Sequence, residues 1–209
     1  MHTPSSDIAF TPTVKAIQTA RGSRKAYAEY ESRGGFRTLI DEDLTAFLGQ
    51  IDTAYLATAN AQGRPYAQHR GGPKGFIQVL DDHTLAFADF AGNRQYVSTG
   101  NLAENDKAFL FLMDYANRRR IKLWGRARVV EGDAELTARL MPQGYRARTE
   151  QAIVFEVEAW DVNCPQHIPI KIDAADVADA LNELKARIAT LEDENTRLKF
   201  QLETLRPNP

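Results

Sequence analysis

Apolar residues recur along this chain with three different periods, and the changes of period divide it. From Val14 to Tyr30 the spacing of Val14, Ile17, Ala20, Tyr27 and Tyr30 is loosely helical, Gly22 interrupts it, and Gly34-Gly35 closes the segment. That pattern predicts an N-terminal helical extension. A short helix is predicted over 42–51, because Leu44, Phe47, Leu48 and Ile51 follow Asp41 at helical spacing. Asp41 has the short acceptor side chain of an N-cap, and Glu42 and Asp43 suit the positive end of a helix dipole.

The period then becomes two. Ala54 to Ala59 reads as a strand, Asn60-Ala61-Gln62-Gly63 as a tight turn, and Pro65 to Arg70 as the returning strand. Phe76 to Leu80 and Thr84 to Ala88 form a second predicted hairpin around Asp81-Asp82-His83. Ala108 to Met113, Ile121 to Val130 and Ile153 to Val157 add strands, and Ala134 to Leu140 a helix. Many short antiparallel strands with few helices predict a mainly β fold, a closed or nearly closed barrel, since closure removes exposed strand edges.

In the last segment the period becomes heptad. Val177, Leu181, Leu184, Ile188, Leu191, Asn195, Leu198, Leu202 and Leu205 are separated by alternating steps of four and three. This pattern predicts the seam of a coiled coil, with Leu181, Ile188, Asn195 and Leu202 at a and Leu184, Leu191, Leu198 and Leu205 at d, the alternative being an amphipathic helix docked on its own barrel. An Asn at one a position favours two parallel strands in register, where each Asn pairs with its symmetry mate. The flanks agree: Arg187 at g faces Glu192 at e of the partner, and Glu194 faces Lys199. The expected organisation is a helical extension over 1–36, a β domain over 37–172 and a dimerisation helix over 173–209.

Composition narrows the chemistry. With 209 residues, 43% of them hydrophobic, the chain can bury one substantial core plus appendages. A net charge of -2 gives no global attraction to nucleic acid or anionic membrane, so any basic patch is local. Cys164 is the single cysteine, which excludes an intramolecular disulfide. The start, Met1-His2-Thr3-Pro4-Ser5-Ser6-Asp7, lacks the basic and apolar regions of a signal peptide, and no run approaches the roughly 20 apolar residues of a membrane span. A cytoplasmic, soluble protein is expected. Dinucleotide, phosphate-loop and zinc-protease motifs are absent, and His2, His69, His83 and His167 have no second ligand at metal spacing.

Three bursts of unusual residues carry the candidate chemistry. The first, Gln68-His69-Arg70-Gly71-Gly72-Pro73-Lys74-Gly75-Phe76, runs from a strand into glycines that let a planar ligand approach the backbone. The second, Gly92-Asn93-Arg94-Gln95, offers a guanidinium between two amides, a donor set suited to phosphate. In the third, strand alternation places Arg120, Lys122, Trp124, Arg126 and Arg128 on one face and Ile121, Leu123, Ala127 and Val129 on the other. A solvated strand face and a base-stacking nucleic-acid surface are the alternatives for the third burst, and the near-neutral charge argues against nucleic acid.

With Tyr55-Leu56-Ala57-Thr58-Ala59-Asn60-Ala61-Gln62-Gly63-Arg64-Pro65, the segment Leu85 to Gln95, Asn101-Leu102-Ala103-Glu104-Asn105 and Arg119 to Gly125, these bursts resemble the pyridoxamine 5'-phosphate oxidase-related family of FMN-binding split barrels. The flanks, Phe10-Thr11-Pro12 and Asn163 to Pro169, look like a bacterial subgroup whose members lack an assigned reaction. The resemblance implies a Greek-key split barrel and a homodimer with FMN at the subunit interface. Carried over, the flavin-holding strand falls on Gln68, His69, Arg70 and Gly71, and the next contact pair on Ala88 and Asp89. The phosphate clamp falls on Asn93, Arg94 and Gln95, with amides where the family has a hydroxyl and a second cation. Lys74, Arg119 or Arg120 would supplement it, and Arg120 matches a position where the family often has a glutamine that reaches the flavin.

The C-terminal end departs from the pattern. True pyridoxamine 5'-phosphate oxidases finish with a tryptophan and arginines that close over flavin and substrate, whereas this chain continues through Asn163 to Pro169 into the heptads. The expectation is therefore an FMN-dependent oxidoreductase acting on another small substrate, with a non-catalytic flavin-binding or redox-sensing module as the alternative. Tyr66, Phe76, Phe87 and Trp124 are candidate walls of the flavin site, and Cys164 with His167 a candidate redox or proton-transfer pair.

Overall fold

The computed structural model describes residues 3–204 in two compact units, Met1–Ile168 and Pro169–Pro209. Met1, His2 and Leu205, the last d position, lie outside the described residues.

The first unit opens with a 3-10 turn, Ser5–Ile8, and two helices, α1 (Pro12–Ala20) and α2 (Arg24–Ser32). The Thr11 hydroxyl accepts the Val14 N–H at 3.3 Å to start α1, and Gly22, at φ +82°, turns the chain between the helices as only glycine does cheaply. Phe10 packs edge-on against Tyr27 and Phe36, and Phe36 stacks on Trp124 at 4.9 Å with an interplanar angle of 9°. Arg37 makes a backbone bridge to Trp160, which ties the end of the extension to the sheet. Helix α3 (Glu42–Leu48) begins where expected, with Asp41 accepting the Leu44 N–H at 2.9 Å, and ends at Gly49 rather than reaching Ile51.

Seven antiparallel strands follow: β1 (Thr53–Ala59), β2 (Pro65–Gly71), β3 (Gln78–Val79), β4 (Thr84–Phe90), β5 (Lys107–Asp114), β6 (Arg119–Val130) and β7 (Thr149–Val162). Helix α4 (Val97–Glu104) lies between β4 and β5, and α5 (Ala134–Leu140) between β6 and β7. The strands form one sheet in the order β2-β1-β5-β6-β7-β4-β3, whose non-sequential neighbours match the split-barrel expectation. Full closure does not occur: among the described residues no backbone ladder joins β2 to β3 or β4. Side chains meet across the gap instead, as described below.

Two strand lengths differ from the pattern. β3 shrinks to two residues because Pro73 and two glycines precede it, and Leu80 already turns back to Thr84. β7 runs well beyond 153–157 because it pairs with β4 on one side and β6 on the other, so its polar ends are held by ladders rather than by burial. Between Trp124 and Gly125 the β6–β7 register shifts, and a Cβ on Gly125 would lie 1.9 Å from the Glu156 carbonyl oxygen. Only glycine permits that approach.

The main core gathers Leu44, Phe47, Leu48 and Ile51 of the α3 region with Leu56, Leu85, Phe87, Leu110, Leu112, Leu123, Phe155 and Trp160. On the other face of β4 and β7, Leu140 of α5 covers Ala86, Ala88, Ala152 and Val154. Trp160 is sealed from solvent, its Nε1 donating to the Leu39 carbonyl at 2.7 Å.

The second unit contains α6 (Ala174–Thr204), one unbroken helix of 31 residues. Val177, Leu181, Leu184, Ile188, Leu191, Leu198 and Leu202 are all exposed along it. No helix among the described residues is long and apolar enough to cross a membrane.

Candidate functional site

Where the two ends of the sheet approach each other there is a cleft of about 300 Å³. Its lining comes from β2 (Gln68, Arg70), β4 (Asp89, Phe90), the loop Gly92 to Tyr96, the first turn of α4 (Ser98, Thr99) and Glu150 of β7. Strand alternation explains the β2 contribution: Gln68 and Arg70 share a face that is half-buried, while His69 points the other way.

A chain of polar side chains spans the gap that the backbone leaves open. Arg70 forms an ion pair with Asp89, and each side chain is only 12% exposed. Asp89 also accepts from Gln151 Nε2 at 2.8 Å, and the same Gln151 nitrogen donates to Thr99 Oγ1 at 3.1 Å. On the other side, Gln68 Oε1 accepts from Arg70 Nη2 and from Ser98 Oγ, both at 3.0 Å. With its oxygen thus taken twice, the Gln68 amide has only its NH2 group to offer a ligand. The Arg70 Nε is buried without a hydrogen-bond partner among the described residues, a donor in need of an acceptor.

The loop that closes the other end is strained at two residues. Arg94 and Tyr96 have φ of 58° and 53°, the left-handed region that costs non-glycine residues of order 1 kcal/mol each. Asn93 Oδ1 accepts the Gln95 N–H at 3.3 Å, which fixes the turn. Arg94 forms no ion pair among the described residues, in contrast to Arg70. Across the loop, the Tyr96 phenol donates to Glu150 at 2.7 Å, and that carboxylate pushes the phenol's pKa up.

The cleft therefore brings together Gln68, Arg70, Asp89, Asn93, Arg94 and Gln95 of the expected residues. The others lie elsewhere. His69 packs edge-on against Tyr55 with ring centroids 5.6 Å apart, and a Cβ on Gly71 would meet the His69 ring at 2.8 Å. Ala88 faces the core under α5. The Arg119 guanidinium sits 5.1 Å above the Phe47 ring, and Arg120 belongs to the outer face of β6, where its carbonyl accepts from Asn163. The loop glycines have an internal role: a Cβ on Gly72 would be 2.8 Å from the Cβ of Phe76, so it is that residue's packing that keeps Gly72 bare.

The aromatic candidates are otherwise engaged as well. Phe76 and Phe87 are in the core, and Trp124 is covered by Phe36 and by Phe109, the latter at 5.2 Å. Tyr66 alone shares the β2 face of Gln68 and Arg70. Two of the β6 cations are paired, Lys122 with Asp161 at 2.9 Å, and Arg126 with Asp106 at 2.8 Å and Glu158 at 2.9 Å, while the Arg120 Nε is buried without a hydrogen-bond partner among the described residues. With its tryptophan covered, the strand offers bases no stacking face. Cys164 is an exposed free thiol in the segment after β7.

Sequence reasoning did not find Tyr96, Ser98, Thr99, Glu150 or Gln151, which hold the cleft together. None stands in an apolar period or a motif. Their only signal is adjacency in space.

Several solved structures are similar to this chain. HupZ of Group A Streptococcus is 17% identical over 64% of this chain and 99% of its own, with a TM-score of 0.49. An FMN-binding protein from Syntrophomonas wolfei is 14% identical over 70% of this chain and 97% of its own, with a TM-score of 0.46. The haem storage protein HutZ of Vibrio cholerae is 17% identical over 59% of this chain and 94% of its own, with a TM-score of 0.42. No curated protein matches the chain in sequence. The family profile described as pyridoxamine 5'-phosphate oxidase matches residues 40–164, which include the whole sheet and every residue lining the cleft. The chain belongs to the pyridoxamine 5'-phosphate oxidase family.

Proposed function

We propose that the cleft binds FMN and that the protein is an FMN-dependent oxidoreductase acting on a small molecule other than pyridoxamine phosphate. The observation that carries the reading is Arg94, a cation without an ion-pair partner among the described residues, set between two amides on a strained loop within a family of flavin-associated barrels. A phosphate accepts several hydrogen bonds at once, and the Arg94 guanidinium with the side-chain NH2 groups of Asn93 and Gln95 supplies such a set. Arg70 Nε and the Gln68 NH2 group add donors along the cleft. Glu150 opposes the phosphate, and its hydrogen bond from Tyr96 holds it to one side.

Bound flavin would supply two-electron transfer, and this chain's residues orient it and balance its charge. Phe76, Phe87 and Trp124 being engaged elsewhere, the flat face of the ring takes its cover from a second copy of the chain, so that the site is shared at a homodimer interface. A single cysteine in a chain of this size suits the cytoplasm. The exposed seam of α6 favours a second reading, a flavin-binding or redox-sensing module that passes its state to a partner.

The absorption spectrum of the purified protein tests the proposal. Flavin bands, present at once or acquired on incubation with FMN and weakened in Arg94→Ala, are expected. A protein that stays colourless with FMN sinks it, and a Soret band would assign the cleft to haem instead. Flavin reduction by a nicotinamide donor separates the oxidoreductase from the sensor.

A further inference from the structure

We infer that α6 is a self-association interface: it pairs with α6 of a second copy of this chain, parallel and in register, with Asn195 against Asn195. Beyond the cleft reading, this rests on the helix alone.

The helix runs without a break from Ala174 to Thr204. At 1.5 Å per residue that is about 46 Å. Helices in water are held chiefly by packing of an apolar face rather than by propensity, yet Leu181, Leu184, Ile188, Leu191, Leu198 and Leu202 are between 47% and 65% exposed. These residues occupy a and d, the narrow stripe of a coiled-coil seam, and of the large exposed apolar residues of α6 only Phe200, at f, lies off it among the described residues.

Two features select a copy of the same chain. The charges flanking the seam complement themselves: Arg187 at g with Glu192 at e of the partner, and Glu194 at g with Lys199 at e. Asn195 interrupts an otherwise apolar a row, and buried against apolar side chains its amide would lack partners. Parallel pairing in register sets the two amides face to face, each donating to the other. Antiparallel pairing places a residues opposite d residues, so Asn195 would face a leucine such as Leu184. The alternating charges tolerate either direction at some offset, so it is Asn195 that decides orientation.

Disulfide trapping tests the inference on the full chain. In a Cys164→Ser background that keeps Asn195, Ile188→Cys, at the preceding a position, is expected to form an intermolecular disulfide on mild oxidation. Its yield should exceed that of Glu183→Cys, a c position away from the seam, by at least tenfold, and should fall at least tenfold when Asn195→Leu is added and the orientation is no longer fixed. Adding Leu184→Glu should abolish the cross-link while leaving any flavin spectrum intact. Two results overturn it: no excess cross-link from Ile188→Cys in a chain whose circular dichroism retains the α6 helicity, or a cross-link that needs Leu191→Cys together with Ile188→Cys. Because the readout needs no cofactor, its failure and that of the FMN reading are told apart.

Discussion

Lys122 and Arg126 of β6 and the cation at Arg94 look alike in the sequence, each near aromatics and glycine, yet the fold treats them oppositely. Lys122 and Arg126 point across the sheet to Asp161, Glu158 and Asp106, and the Phe36 ring of the N-terminal extension covers Trp124 between them. Arg94 stands on a loop after β4 with no carboxylate paired to it, facing a cleft. What separates them is what the nearby acids are doing: β7 and the residue before β5 supply acids that pair with Lys122 and Arg126, while the acid that β7 brings beside the loop after β4, Glu150, is taken by the Tyr96 phenol. A cluster of positive charge is a binding feature only where topology denies it an internal counter-ion.

The contrast can be attacked by substitution. Arg70→Met has the largest expected effect, because it leaves Asp89 buried with only Gln151 as partner and removes the tie across the split; a stability loss of about 3 kcal/mol in urea denaturation is expected. Arg94→Ala should unfold like the parent but lose about 10- to 100-fold in FMN affinity, measured by fluorescence titration, as befits a charged hydrogen bond worth about 1.5–3 kcal/mol. An unchanged dissociation constant would move the phosphate elsewhere. Glu150→Gln should tighten FMN several-fold, more at low salt than at high, since it deletes the one cleft carboxylate without a cationic partner.

Arg126→Ala tests the other side of the contrast: FMN affinity should not change, and the urea midpoint should barely move for so exposed a pair. The smallest expected effect is an alkaline one. Burial, with Asp161 beside it, pushes the Tyr30 phenol up to about 12 from its ordinary 10.0. Because the folded state holds that proton more tightly than the unfolded chain does, its contribution is intact below pH 10 and is lost as pH rises toward about 12. Tyr30→Phe should flatten the stability profile in that window.

Much of the scaffold was legible because its signals are local. Asp41 caps α3 as its side chain predicts, Ala134–Leu140 is a helix bounded by Asp133, and the alternation over Ile121 to Val129 separates buried from outward residues in β6. The cleft was legible only in part. Arg94 declares itself by its neighbours in sequence, but Ser98, Glu150 and Gln151 acquire their roles through contacts 30 or more residues away, such as the Ser98 to Gln68 hydrogen bond. Helix α4 itself is weakly patterned, since two of its three buried residues are Ser98 and Asn101. Asn101 is held by Thr58 at 3.0 Å, a tertiary satisfaction that no periodicity encodes.

The tie across the split has one more consequence. A cylinder stitched all round by peptide hydrogen bonds has a single girth, whereas here the last joint is made by Gln68, Arg70, Asp89 and Gln151. Side chains can release and re-form without any ladder being broken, so the wall can part along that one line while the remaining strands stay stitched. A guest held there would act as a rivet, and its arrival should be felt first as slower amide exchange along β2 and β4, the two lips of the seam.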